Sequence, residues 1–310
     1  MKSTRRLLPL LVAVVLMTTF FALWVPQGRF LTVSNLLDLA QQISINAILA
    51  FGMTLVILIG GIDLSVGAVV ALVGTVTVAS LARVGFAPAL LAGFASAAVF
   101  GAVNGVCAAR TSMPPFIITL ATMLAARGMA LRFNEGRPLP VPDSERLFLA
   151  IGNTRLFDIV PLPVLIMLAA FAATAVLLHR TAFGQHLYAI GGNREAARFV
   201  GIQLVRNEVI VYIIGAVLAG LAGLIHASQL YSAEPASGQG FELNAIAAVV
   251  VGGTSFKGGV GTMAGTLIGA VIIGILDKGL NQAGVHFSLQ YIIKGLVILG
   301  AVYLDVRRRK

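Results

Sequence analysis

The residues with the clearest chemical potential lie in a short polar interruption at 60–67, which reads GGIDLSVG. A carboxylate at membrane depth must be hydrogen-bonded, paired or turned toward a water-filled cavity, so Asp63 is a functional candidate by its position. Asp63 and Ser65 are also residue types that cap helices, here one that begins near Val66. The sequence therefore favours a helix cap as their main role, with a second role on a polar pathway.

A second candidate follows two prolines, Pro114 and Pro115, which place Phe116 and Thr119 next to a break between apolar runs. Proline suits the first turn of a helix, and a backbone break at membrane depth is tolerated where it is buried or lines a cavity. An aromatic face beside a hydroxyl suits the mixed surface of a sugar. An ordinary helix start with a packing phenylalanine explains the pattern equally well, so both interpretations stay open.

A third candidate is the patterned loop 180–208. Asn193 can cap a short helix over 194–200, and Gly201 can end it. A short helix of this kind could fit the groove of a partner protein, or it could lie on the membrane surface. The residues alone do not decide between these two roles.

The sequence contains no motif that would indicate an enzyme. It contains no phosphate-binding loop, no histidine and glutamate cluster with zinc spacing and no Ser/His/Asp set, and its four histidines are scattered. We therefore expect no catalytic residue, no bound cofactor and no metal. Asp277 and Lys278 are expected to pair with each other or to extend to the membrane surface.

The elements that must position these residues are hydrophobic helices. The chain has 310 residues, of which 58% are hydrophobic and 11% charged, and its mean hydropathy is +0.95. A soluble core cannot absorb so much apolar surface, so the composition predicts an all-α polytopic transmembrane bundle that forms a single domain over 1–310. About ten spans are predicted, at 7–25, 43–59, 66–82, 87–109, 116–132, 162–179, 209–231, 243–251, 263–280 and 289–304.

The formal net charge of +10 is concentrated at the two ends of the chain. Lys2, Arg5 and Arg6 precede the first apolar run, and 307–310 are all basic. Basic flanks stay on the cytoplasmic side of a membrane, so both termini are predicted to be cytoplasmic and no nucleic-acid partner is expected. The lone Cys107 allows no disulfide within the chain.

Nearly the whole chain resembles the permease subunits of carbohydrate importers of the ATP-binding-cassette class, particularly the ribose-type permeases. The resemblance is carried by the fragments 42–48 (QISINAI), 52–57 (GMTLVI), 61–67 (GIDLSVG), 188–193 (YAIGGN) and 242–255 (ELNAIAAVVVGGTS). It implies a bacterial inner-membrane protein that imports a monosaccharide, ribose or a similar pentose or hexose.

The same resemblance implies the partners of the chain. They are a separate ATPase subunit, a periplasmic sugar-binding protein, and a second permease copy or sister permease that completes a dimer within the lipid bilayer. It also implies that the segment 184–202 docks onto the ATPase. The residues expected to carry this coupling are Gly191, Asn193, Glu195, Ala196 and Gly201.

Two other functions compete with this interpretation. A self-sufficient facilitator or ion-coupled carrier would need paired carboxylates within the membrane, and Asp63 alone is a candidate. A membrane enzyme would need a catalytic pair, for which Glu234 and Glu242 come nearest. These two glutamates are more simply explained as a solvated rim that could meet the binding protein.

Overall fold

The computed structural model describes the backbone of residues 2–307, and the side chains in that range except those of 2–6, 27, 301 and 304–306. The basic residues 308–310, and the side chains of the basic residues before the first span, lie outside the described part. The described chain is mainly helical, which confirms the predicted all-α class. Its α-helices, α1 to α13, are Lys2–Trp24, Val33–Leu58, Val66–Val84, Phe86–Arg110, Pro115–Arg132, Arg146–Asn153, Leu162–Arg180, Ala182–Gly192, Arg194–Phe199, Leu204–Gln229, Phe241–Val251, Met263–Gln282 and Phe287–Arg307.

Four very short strands supplement the helices. β1 (Leu139–Pro140) pairs antiparallel with β4 (Ser232–Ala233), and β2 (Arg155–Leu156) pairs antiparallel with β3 (Val160–Pro161). The first pair joins the connection after α5 to the connection after α10. These pairings fasten loops together and do not form a sheet core.

Eight described helices are long and apolar enough to cross a membrane: α1 to α5, α7, α10 and α12. The predicted spans 243–251 and 289–304 coincide with the shorter apolar helices Phe241–Val251 and Phe287–Gly300. With 11 residues, α11 reaches only about 17 Å, roughly half the hydrocarbon thickness. The total of ten spans and the cytoplasmic position of both termini therefore stay predictions.

Helix α10 lies at the centre of the bundle, between α2, α3 and α4. Small residues allow these helices to approach closely. A Cβ added at Gly101 of α4 would lie 2.6 Å from the carbonyl oxygen of Tyr212, and one at Gly223 of α10 would overlap the carbonyl oxygen of Val70. The many glycines of the chain thus serve largely as helix contacts, as the sequence pattern indicates.

Two helices begin inside the bundle rather than at its surface. Val70 of α3 lies beside Gly223, and a Cβ at Gly74 would contact Ala227, so α3 runs parallel to α10 and starts level with the middle of α10. A Cβ at Gly67 would overlap the carbonyl oxygen of Gly238, so the loop before α11 reaches the same depth. The segments before α3 and before α11 are therefore backbone breaks enclosed by protein.

Candidate functional site

The first polar cluster, which we call the break cluster, consists of Asp63, Ser65, Asn104, Thr119 and Thr122. Asp63 Oδ1 accepts hydrogen bonds from the Ser65 backbone N–H at 2.8 Å and from the Ser65 hydroxyl at 2.6 Å. The Asn104 amide donates to Ser65 Oγ at 3.0 Å, and the Thr122 hydroxyl donates to Asn104 Oδ1 at 2.6 Å. Three helices, α3, α4 and α5, thus share one buried polar chain.

The helix start at Val66 is confirmed, but the cap interpretation is not. Ser65 occupies the N-cap position of α3 and makes no side-chain hydrogen bond to the first turn. Asp63 binds the backbone N–H of Ser65 itself. The physical reason is that the Asp63 carboxylate closes a local turn before the helix, so it stabilises the break rather than the helix end.

Thr119 fixes the same break from α5. Its hydroxyl donates to the carbonyl oxygen of Ile62 and accepts from the N–H of Leu64, both at 3.1 Å. Phe116, in contrast, is 47% exposed on the surface of α5, and only its backbone carbonyl contacts Thr119. The structure therefore brings together three of the four predicted pathway residues and leaves the Phe116 side chain outside the cluster.

The coupling segment is the part of the chain formed by α8 and α9. Asn193 accepts a hydrogen bond from the Ala196 N–H at 2.9 Å, which confirms the predicted cap, and Gly201 follows α9 with a φ of +84°. Glu195 lies exposed in the first turn of α9. Phe199, at its last turn, is 89% exposed. The segment therefore presents an aromatic side chain away from the bundle.

The inner side of the coupling segment contacts the end of α2 and the loop between α11 and α12. A Cβ at Gly191 would overlap the carbonyl oxygen of Leu58, the last residue of α2, and the nitrogen of Gly259. Gly259 donates its N–H to the same Leu58 oxygen at 2.8 Å. The Tyr188 hydroxyl donates to the carbonyl oxygen of Gly261 at 2.7 Å, and burial raises the pKa of this phenol, which keeps it protonated as a donor.

An ion pair connects α9 to the central helix. The Arg194 guanidinium contacts the Glu208 carboxylate at 2.5 Å, with a second contact at 3.1 Å. The Glu208 side chain is 3% exposed, whereas that of Arg194 is 51% exposed. Because Glu208 lies in the first turns of α10, the pair links α9 directly to the start of the central helix.

A cavity of about 480 Å³ lies at the other end of α10, among α2, α10, α11 and α12. We call it the amide cavity, because its lining includes the amides Gln41, Gln42, Asn46, Gln229 and Asn244. Sequence analysis assigned no site here. The available signal was the group of three amides within the otherwise apolar helix α2.

The charges around the amide cavity are mostly paired. Asp277 forms an ion pair with Lys294 of α13 at 2.9 Å, not with the adjacent Lys278. Neighbours in a helix point about 100° apart, so an adjacent pair is poorly placed for contact. Asp38 pairs with Arg155 at 3.4 Å. These two carboxylates therefore lie next to basic partners on other parts of the chain.

The loop between β4 and α11 is held by Arg127. Arg127 of α5 donates to the carbonyl oxygens of Pro235 at 2.8 Å and Ser237 at 2.5 Å. Glu242 accepts a hydrogen bond from the Gly240 N–H at 3.1 Å and is only half-buried, whereas Glu234 is exposed. The two glutamates thus have different environments, and Glu242 has a local structural role. Phe241, the first residue of α11, lines the amide cavity.

Among the described residues, no group of three or more histidine, cysteine, aspartate or glutamate side chains could hold a metal ion. The described polar groups instead gather in two regions, the break cluster beside the middle part of the central helix and the amide cavity at its last turn.

Comparisons with known proteins agree with a transport role. The family model described as branched-chain amino acid transport system / permease component matches residues 35–302. The chain is 46% identical to the ribose import permease protein RbsC of Bacillus subtilis (strain 168), over 90% of this chain and 87% of that protein. It is 44% identical to RbsC of Escherichia coli (strain K12), over 98% and 94%, respectively.

A more distant relative is the L-arabinose transport system permease protein AraH of Escherichia coli (strain K12), 34% identical over 93% of this chain and 87% of that protein. No solved structure matches the chain significantly. The matched family is a transport permease component and not a catalytic enzyme. The chain therefore belongs to this family of membrane permease components of transport systems.

Proposed function

We propose that this chain is the membrane-spanning subunit of an ATP-driven importer that carries a monosaccharide, ribose or a similar sugar, across the bacterial inner membrane. The observation that carries the proposal is its close similarity to ribose import permeases over nearly the whole chain. ATP hydrolysis is supplied by a separate ATPase subunit, and a periplasmic binding protein delivers the sugar. A second permease copy or a sister permease completes the pathway.

The coupling segment is the docking site for the ATPase. Phe199 is exposed, while Ala197 on the same short helix is buried and Arg194 is joined to Glu208. This combination fits a helix that is held firmly on one side and inserts an aromatic residue into a partner's groove on the other. Gly191, Asn193, Glu195, Ala196 and Gly201 shape and cap the segment. Import by alternating access follows when movement of the ATPases displaces it.

The competing proposal of a self-sufficient ion-coupled carrier gains little from the structure. Such a carrier needs paired carboxylates that titrate or bind a cation within the membrane. The break cluster contains Asp63 as its one carboxylate, and this group is bonded to Ser65. An importer driven by a separate ATPase requires no such pair.

The docking proposal predicts a selective effect of one aromatic residue. In permease reconstituted in lipid nanodiscs, Phe199→Ala should weaken binding of the ATPase by about tenfold or more, because truncating a central interface aromatic removes a large share of binding energy. Phe157 is a matched control, since it is also 89% exposed but lies in the connection between α6 and α7. Phe157→Ala should bind like the wild type. Equal binding of all three proteins would reject docking through α9.

A further inference from the structure

We infer that the amide cavity is a binding site for the transported monosaccharide, in which Asn46 and Gln229 supply the acceptor and the donor for its hydroxyl groups. This inference rests on the proposed function and adds a position and a set of contacts to it. The four residues predicted from the sequence as pathway candidates do not line this cavity, so the inference adds a site separate from them.

The position of the cavity fits the arrival of a substrate. α10 begins just after the coupling segment and has 26 residues, so its last residue lies about 37 Å along the helix axis from its first. Gln229 is that last residue, and it lines the cavity. The cavity is therefore at the end of the bundle opposite the coupling segment, where a sugar released by an external binding protein would enter.

The polar atoms in the cavity wall are complementary to a hydroxyl group. Asn46 Oδ1 and Gln229 Nε2 are buried atoms that have no hydrogen-bond partner within the described part of the chain. One is an acceptor and the other a donor, and a sugar hydroxyl can serve both. Both residues line the cavity, so rotation of either side chain would turn its buried amide atom toward a ligand, whichever of the two amide atoms is the oxygen.

The rest of the wall favours a neutral, partly apolar ligand. Phe241 contributes an aromatic ring that lies edge-on to His226, with ring centroids 5.4 Å apart. Such a ring offers an apolar surface to the C–H face of a sugar. Asp38 and Asp277 already have basic partners in Arg155 and Lys294. A cation would have to compete with these pairs and would meet a further positive charge at Lys278, whereas a neutral polyhydroxyl compound disrupts neither pair.

The test removes the two amides without changing side-chain size greatly. Asn46→Leu and Gln229→Met should each reduce ATP-driven ribose uptake by about tenfold or more. The hydroxyl groups of ribose give up their bonds to water in the cavity, and without the amide they find no hydrogen-bond partner there. Gln203→Met is the control, because Gln203 precedes the other end of α10 and is exposed. Its uptake should equal that of the wild type. Wild-type uptake in both cavity variants would overturn the inference.

A second measurement does not require transport. With Cys107 replaced by serine, a Gln42→Cys variant has its one thiol at an exposed lining position outside the two proposed contacts, and the reaction of this thiol with a water-soluble maleimide can be timed. Ribose, arabinose or allose at saturating concentration should slow the reaction severalfold, whereas no protection by any of the three sugars would contradict a binding site here. Lack of ATP-driven uptake by the wild-type complex, with protection retained, would instead reject the proposed function and keep the site.

Discussion

Replacing Gly191 with alanine is expected to reduce transport by about two orders of magnitude. Enzymes lose about this much rate when a functional group is displaced by about 1 Å, and we expect a similar loss when this contact is displaced. The added Cβ would overlap the Leu58 carbonyl oxygen and the Gly259 nitrogen, and both are backbone atoms that cannot rotate away. The variant must therefore separate α8 from the end of α2 or from the loop after α11. Either displacement breaks the contact that joins the coupling segment to the end of α2 and to the loop after α11.

The adjacent glycine provides the control. A Cβ at Gly192 would meet no atom within 4 Å, so Gly192→Ala should transport like the wild type. Sugar uptake and ATP hydrolysis should both be measured in reconstituted complexes. Gly191→Ala should retain a larger fraction of wild-type ATP hydrolysis than of wild-type sugar uptake. The reason is that the displaced contact lies between the ATPase docking site and the sugar pathway. If both alanine variants transport normally, the contact has no role in coupling.

The second large effect is expected at Arg127. Arg127→Met would leave the carbonyl oxygens of Pro235 and Ser237 without their charged donor, and each such loss costs about 1.5–3 kcal/mol. We expect lower thermal stability and little remaining uptake, since the released loop leads directly into Phe241 and the amide cavity.

Two further variants make the Arg127 prediction specific. Arg127→Lys should restore part of the stability, because an ammonium group can donate to the same carbonyl oxygens with less favourable geometry. Arg132→Met, at an exposed position of the same helix, should leave both thermal unfolding and uptake unchanged. An Arg127→Met protein with wild-type unfolding and uptake would show that the loop does not depend on this arginine.

Local features of the fold could be predicted from the sequence, whereas the long-range ones could not. The cap at Asn193 and the glycine after α9 involve residues within one turn of each other, so their types and spacing suffice. The break cluster was found in part, because Asp63 and Thr119 each mark a break between apolar runs. The exposed position of the Phe116 side chain could not be predicted, because a sequence does not specify which face of α5 is turned outward.

The amide cavity required the structure. Asn46, Gln229 and Asn244 belong to three different helices, and their proximity depends on helix packing rather than on sequence spacing. The pairing of Asp277 with Lys294 is a second example, since the partner belongs to α13 and not to the same helix. Helix α11, in contrast, lies within two residues of the predicted segment 243–251, because its apolar run is visible in the sequence.

Together these contacts connect the two ends of the bundle. The coupling segment contacts the end of α2, the loop after α11 and the first turns of α10. The same three helices provide amides at the opposite end, where the cavity lies. A displacement of the segment can therefore change the cavity through rigid helices, which is the link that alternating access needs.

The most direct test of the account is uptake of labelled ribose, xylose, galactose and allose into vesicles that contain this chain, its ATPase and its binding protein, with each partner omitted in turn. We predict uptake of at least one of these sugars that requires ATP and both partners. Uptake that continues without the ATPase or the binding protein would contradict the account and indicate a self-sufficient carrier.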